Sequence, residues 1–369
     1  MFLSRLKINH FKNHSEADLS FNEKINCFVG NNGVGKTNLL DAIYYLSFTK
    51  SCFNAVDAQN IQHQRDFFAL HGYYKYQDEV EDRVSCIQPR GKKKQFRFNK
   101  KEYDRLSDHI GKIPLVMISP YDRDLINDGS EVRRKYLDGV ISQFDTFYLA
   151  GLLEYNKALQ QRNTLLKQFA EQHYFDELSL KIWDEKLIQY GEILFEKRKT
   201  FFDEFNPLFS KYYHYLSQGK EEVEIVYKST LQEKPLAELL NESVRRDLAL
   251  RYTTTGIHKD DLLMLINGYP VKKFGSQGQQ KSFVIAIKLA QFEYMRQQKG
   301  FKPILLFDDI FDKLDENRVA QIVELVSEEN FGQVFITDTQ PSRIRTIFDK
   351  INISHKIFEV TPETIRELT

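Results

Sequence analysis

Apolar positions at the start of the chain alternate with polar ones. Leu3, Leu6 and Ile8, then Ala17, Leu19 and Phe21, lie on either side of a polar "KNHSE". This spacing predicts two strands joined as a hairpin. "INCFVG" follows as a short apolar strand ending at Gly30. The period then becomes helical: "NLLDAIYYLSF" carries Leu39, Leu40, Ile43, Tyr44 and Ser47 at helix spacing. Residues from 68 to 118 read as β-rich, with a basic turn near "GKKKQFRFNKK", and "IPLVMIS" is an apolar strand halted by Pro120.

The pattern changes again over 125–248. "FYLAGLLEYNKALQQRNTLLKQFAEQ" and "LKIWDEKLIQYGEILFEKRKTFFDEF" are long, glycine-poor and amphipathic, and Pro207 is the only proline between Pro120 and Pro235. We expect a helical insertion there. Strict heptads do not persist, which argues against a long coiled coil. After it come "DLLMLING", a helix over "GQQKSFVIAIKLAQFEYMRQQ", the strand "PILLFDD", another helix and the strand "QVFITD". The expected divisions are 1–124, 125–248 and 249–369.

Composition changes this picture little. The chain has 369 residues, enough for two or three domains, and 41% of them are hydrophobic. Lys+Arg and Asp+Glu both number 52, so net charge predicts no partner, and any nucleic-acid contact needs a local patch. The three cysteines, Cys27, Cys52 and Cys86, lack metal-type spacing and imply no disulfide framework. There is no apolar run of the ~18 residues that suggests a membrane span. "MFLSRLKINHFKN" is too charged for a signal peptide. A cytoplasmic protein without a membrane partner is the expectation.

The candidate chemistry begins at "GNNGVGKT", which stands between an apolar strand and a helix. Glycines let successive N–H groups turn toward phosphates, and the helix adds the positive end of its dipole. The expected nucleotide-holding residues are Gly30, Asn31, Asn32, Gly33, Val34, Gly35, Lys36, Thr37 and Asn38. Lys36 would reach the β- and γ-phosphates of ATP and serve catalysis, and the Thr37 hydroxyl would bind Mg²⁺. A magnesium-bound nucleotide also needs a carboxylate at the end of a buried strand. "PILLFDD" supplies Asp308 for Mg²⁺ and Asp309 to polarise the attacking water. We expect these two strands to be adjacent, with the helical insertion leaving the sheet and returning to it.

"FGSQGQQKS" offers a second anion-binding device. Ser276, Gln277, Gly278, Gln279 and Gln280 put a hydroxyl and amides at a helix start. A plain N-cap explains the serine as well. One small nucleotide does not need two such devices from one chain, so the economical arrangement is a two-fold homodimer. In it each phosphate loop would face the partner's Ser-Gln-Gly segment.

An N-terminal phosphate loop, an S-x-G-Q signature helix and "LLFDD" followed by "FDKLDENR" resemble the ABC-type ATPase heads of the SMC and DNA-repair class. "PYDRDLINDGSEVRRKYLD", "YNKALQQRNTLLK" and "TTTGIHKDDLLMLINGYPVKKFGSQGQQKS" bring the likeness closest to the RecF family of recombination mediators. The resemblance implies an α/β fold: a mixed sheet flanked by helices, plus an antiparallel β lobe and an inserted α-helical arm domain. It implies an ATP-dependent homodimer that binds DNA, single-stranded and duplex, at gaps or junctions. It also implies slow, DNA-stimulated ATP hydrolysis and help, with RecR and RecO, in loading RecA. Asp315 would lie at the dimer seam. An ATPase subunit of another SMC-like, transporter or effector complex is the alternative.

Three places depart from ABC-type patterns. A strand-end Gln is replaced by Ile118-Ser119-Pro120. The switch position falls in "FITDT", at Thr337, Asp338 and Thr339. "TKSCFN" lacks an arginine. The γ-phosphate sensor is therefore unassigned. Arg90, Lys92, Lys93, Lys94, Arg97, Lys100 and Lys101, with Phe96 and Phe98 between them, could meet DNA phosphates or be a solvated hairpin. Arg133 and Arg134 could steer phosphate or form structural ion pairs. His258 has no companion ligand, and Trp183 reads as core.

Overall fold

The computed structural model describes residues 1–76, 80–219, 221–310, 316–327, 331–342 and 353–368. Asp315 lies outside them. The chain divides into two compact units, one made of Met1–Asp122 with Gln291–Thr369, the other of Arg123–Ala290.

The first unit holds two six-stranded sheets. In the antiparallel sheet the order is His14–Ser20, Phe2–Phe11, Phe67–Lys75, Glu81–Pro89, Gln95–Phe98, Lys101–Glu102. The expected N-terminal hairpin is present, with Leu6 opposite Leu19 and Ile8 opposite Ala17. The second sheet runs Ile365–Leu368, His355–Val360, Ile25–Val29, Val334–Asp338, Ile304–Phe307, Leu115–Ile118. All its pairings are parallel except that of the Ile365–Leu368 edge. Four of its strands, Ile25–Val29, Val334–Asp338, Ile304–Phe307 and Leu115–Ile118, are buried at every position, which is why they read as mainly apolar runs, interrupted only by Asn26 and by the terminal Thr337 and Asp338.

One expectation fails here. The strand leading into the phosphate loop and the strand ending in Asp308 are not neighbours, because Val334–Asp338 lies between them. The helix after the loop, Lys36–Phe48, carries Thr37 in its first turn, and the Thr37 hydroxyl reaches Asp308 without the two strands touching.

That helix is buried on most sides, at Leu39, Leu40, Ile43, Tyr45 and Leu46 among others. It shares one hydrophobic core with Leu6, Ile8 and Phe11 of the antiparallel sheet and Phe28, Leu306 and Phe335 of the parallel one. Gln333, 1% exposed, is polar within this region. Its amide satisfies the Leu3 N–H and C=O and the Asn22 carbonyl at 2.7–2.9 Å, so its burial leaves no donor or acceptor stranded.

The second unit is mainly helical. Thr146–Gln172 and Glu177–Ser217 form a long pair, capped by Asp145, which accepts from the Tyr148 N–H, and by Asp176, which accepts from Leu178 and Ser179. Leu166 and Phe169 of one pack with Leu180 of the other. The region expected to be helical also contains a strand, Val223–Lys228, paired antiparallel with Asp261–Ile266. Its alternation buries Ile225 and Tyr227. Asn206 of the long helix bonds both the N–H and C=O of Ile225, closing an edge that helix-only packing would leave open.

Two buried arginines tie this unit together. Arg198 bonds Asp138, Asp260, the Tyr148 hydroxyl and the Ile257 carbonyl at 2.8–2.9 Å. Arg162 bonds Asp184, Asp247 and Thr253. Arg133 pairs with Asp261 at 2.6 Å, a structural ion pair, whereas Arg134 donates to the Asp260 backbone carbonyl. His258 accepts from the Tyr155 hydroxyl and donates to the Thr253 carbonyl; burial lowers its pKa to about 4. Trp183 is half-buried, with the Lys186 ammonium over its ring.

A candidate nucleotide site at the ends of three parallel strands

Three parallel strands end side by side. The register places Phe307 opposite Ile336, Thr337 opposite Phe28 and Asp338 opposite Val29. Asp308, Thr337 and the phosphate loop therefore leave the sheet at the same edge, where open α/β sheets hold ligands.

The loop itself needs glycine. Gly35 caps the helix at φ +107°, and a Cβ there would lie 2.3 Å from Asn13 Nδ2. A Cβ on Gly30 would lie 2.3 Å from the Val360 carbonyl oxygen. Lys36 is 4% exposed, and its ammonium donates to the Gly30 and Asn31 carbonyls at 2.8 and 2.9 Å. Asn31, Asn32 and Gly33 are exposed and Val34 is buried. Asn38 turns to the N-terminal hairpin, donating to Asn13 Oδ1 at 2.7 Å.

Asp308 gathers the acidic centre. Its Oδ1 accepts from the Thr37 hydroxyl at 2.8 Å and the Thr337 hydroxyl at 2.9 Å. Thr337 Oγ1 in turn accepts the Asp309 N–H at 2.9 Å. Burial pushes the Asp308 carboxyl above the ordinary range, while the two threonine hydrogen bonds pull the other way. Asp309 holds a left-handed backbone at φ 44°, which an aspartate adopts at some cost. A hydroxyl and a carboxylate sharing one hydrogen bond are hard oxygen donors, a set that suits Mg²⁺ bound jointly with phosphates. Among the described residues no group of three or more His, Cys, Asp or Glu could hold a metal alone.

Thr337 was legible only as part of an unassigned switch segment, and its bridging place depends on the strand register. In the sequence Asn13 and His14 show only as part of a polar turn. In the structure Asn13 Nδ2 donates to the Val34 carbonyl at 2.9 Å and His14 Nε2 to the Gly35 carbonyl at 3.0 Å.

Ser276–Gln280 belongs to the other unit. Ser276 Oγ accepts the Gln279 N–H at 3.2 Å, and Gln279 Oε1 accepts the Ser276 N–H at 2.6 Å. This reciprocal pair is a capping box on the helix Gln277–Lys299. Gln279 Nε2 also donates to Glu221, and Gln280 Nε2 to the Gly275 carbonyl. Ser276 and Gln277 remain exposed.

The basic stretch is less free than its sequence suggests. Lys94 pairs with Asp57 at 2.7 Å, donates to the Thr49 carbonyl and lies over Tyr45. Arg97 pairs with Glu102, and Arg90 donates to the Arg65 carbonyl. Lys92, Lys93, Lys100 and Lys101 are exposed. No helix among the described residues is long and apolar enough to cross a membrane.

The sequence profile of the RecF/RecN/SMC N terminal domain matches residues 2–361. The DNA replication and repair protein RecF of Flavobacterium johnsoniae is 53% identical over 98% of this chain and 100% of its own length. The protein of the same name from Bacteroides fragilis is 50% identical over 100% of this chain and 99% of its own. A solved structure of a recombination mediator protein RecF with ATP, in the RecFOR pathway, is 30% identical, with a TM-score of 0.90 over 100% of this chain and 98% of that one. The Smc head domain of Pyrococcus furiosus, at 16% identity and a TM-score of 0.60 over 100% of this chain and 96% of that one, shares the fold. An ABC-type ATPase head with an inserted helical arm, a phosphate loop beside a buried acidic strand end, and this depth of likeness make the chain a member of the RecF family of DNA replication and repair proteins.

Proposed function

We propose that this chain is an ATP-switched recombination mediator that closes as a homodimer on DNA. The observation that carries the reading is the Thr37–Asp308–Thr337–Asp309 chain of hydrogen bonds at the phosphate loop. It joins a phosphate-binding element to a carboxylate pair across 271 residues of sequence. Bound ATP–Mg²⁺ supplies the anhydride bond and the neutralising charge. The loop amides and Lys36 orient the phosphates, and Thr37 with Asp308 holds the cation's protein side. Asp309 orients the attacking water or takes its proton.

Ser276, Gln277 and Gly278 from a second copy would complete the γ-phosphate contacts. Hydrolysis removes those contacts, and the dimer opens. The relatives' part in DNA repair and the RecFOR pathway support DNA at single-strand gaps or junctions as the substrate surface, RecR and RecO as partners, and RecA loading as the outcome. Hydrolysis then acts as a slow, DNA-stimulated timer.

Light scattering with and without ATP–Mg²⁺ tests the dimer. Wild type should double in mass with ATP, while Lys36→Met and Ser276→Arg stay monomeric. ATP binding without any change in mass, with or without DNA, would refute the ATP-dependent dimer.

A further inference from the structure

A phosphate loop grips only if its N–H groups point the same way. A trans peptide is planar, so its C=O and the following N–H point in opposite directions. Fixing the Val34 carbonyl therefore aims the Gly35 N–H, and fixing the Gly35 carbonyl aims the Lys36 N–H. The Val34 carbonyl is held by the first hairpin, and the Gly35 carbonyl, which also accepts the Asn38 and Leu39 N–H groups of the following helix at 3.0 and 3.2 Å, is held from a further side by the same hairpin. Asn13 Nδ2 donates to the Val34 carbonyl at 2.9 Å, and His14 Nε2 donates to the Gly35 carbonyl at 3.0 Å.

The donors are themselves held. Asn13 Oδ1 accepts from Asn38 Nδ2 at 2.7 Å, so the amide cannot flip without losing both bonds. The Asn13 carbonyl accepts from Gln62 Nε2, and the Lys12 N–H donates to the Asn60 carbonyl. His14 is 7% exposed, and its ring nitrogen adds a side-chain donor to a carbonyl that the helix's first turn already engages. Gly35 leaves room for this approach, since a Cβ there would collide with the Asn13 amide.

We propose that Asn13 and His14 are positioning residues for nucleotide binding: the hairpin turn clamps the Val34 and Gly35 carbonyls and so aligns the amides that receive phosphate. They act through the loop backbone and need not touch the nucleotide. The inference rests on the ATP-binding half of the function proposed above, and is independent of dimerisation and DNA.

Calorimetric titration of the whole protein with ATP–Mg²⁺ tests it, with circular dichroism reporting the fold. Asn13→Ala and His14→Ala should each weaken ATP by about tenfold, the effect of one lost aligned hydrogen bond. His14→Gln, whose amide can donate to the same carbonyl, should recover most of the loss. Asn13→Asp, which keeps the shape but sets a carboxylate against the Val34 carbonyl, should weaken ATP at least as much as Asn13→Ala. Wild-type affinity in folded His14→Ala and Asn13→Ala overturns the clamp. Equal loss in His14→Gln and His14→Ala also overturns it, as does unfolding of all four variants, which would make the turn a purely structural element. Wild-type protein that takes up no ATP, like Lys36→Met, instead refutes the ATP-binding reading itself.

Discussion

Thr337 holds the acidic centre through one oxygen. It donates to Asp308 and receives the Asp309 N–H, so Thr337→Val strips a donor from a buried carboxylate and an acceptor from a strained turn. Hydrolysis should fall by at least about tenfold while ATP affinity stays within about threefold, a split between kcat and Kd that marks a role in the chemical step. Equal wild-type values for both would make the bridge dispensable. Asp308 has its own signature. Burial raises its pKa, so the ionised carboxylate costs stability above that pKa, and the cost disappears as pH falls through it. If Asp308 holds Mg²⁺ as proposed, protonation would also remove that ligand. Mg²⁺-dependent ATP binding should therefore weaken on acidification at a pH above the ordinary aspartate value of about 3.9. Asp308→Asn should raise the thermal midpoint at neutral pH while losing that binding; a lowered midpoint would contradict the burial cost. Gly30–Thr37 and Asp308 are visible in the sequence because each announces itself locally, by glycine spacing or by an apolar run ending in acid. Thr337, Asn13 and His14 are not, because their partners are fixed by strand register and by a hairpin folded against a distant loop.

At the scale of elements, the long helix Glu177–Ser217 is secured by charge as much as by its apolar face. Arg198 is 1% exposed and meets Asp138 and Asp260, with the Tyr227 hydroxyl also on Asp260. Burial raises the Asp260 carboxyl, and Arg198 opposes that rise. Arg198→Met should cost about 3–5 kcal/mol, because it leaves the buried Asp260 and the part-buried Asp138 without their cation. Adding Asp260→Asn should recover part of the lost thermal midpoint, whereas strict additivity would show that the two do not act as a pair. Helical periodicity made the long helices legible. It missed Val223–Lys228, which looks like one more amphipathic stretch until its partner strand Asp261–Ile266 and the Asn206 side chain define it.

For the whole molecule, the order of the parallel sheet matters more than any one contact. The strand that leads into the phosphate loop, Ile25–Val29, has Val334–Asp338 on one side and His355–Val360 on the other. Both neighbours come from the last part of the chain. During synthesis on the ribosome, this strand emerges long before residues 334–338 and 355–359, and waits for them before either edge is paired. Such long-range pairing folds slowly and leaves an adhesive segment open to other chains. Nascent chains halted before residue 334 should bind no ATP and should depend on chaperones to stay dispersed, while completed chains released from the ribosome bind it. ATP capture by the halted chains would show that the loop forms without its sheet. A nucleotide site at this edge would thus also be a checkpoint on synthesis: a copy that stops before residue 334 lacks both neighbours of the strand that leads into it.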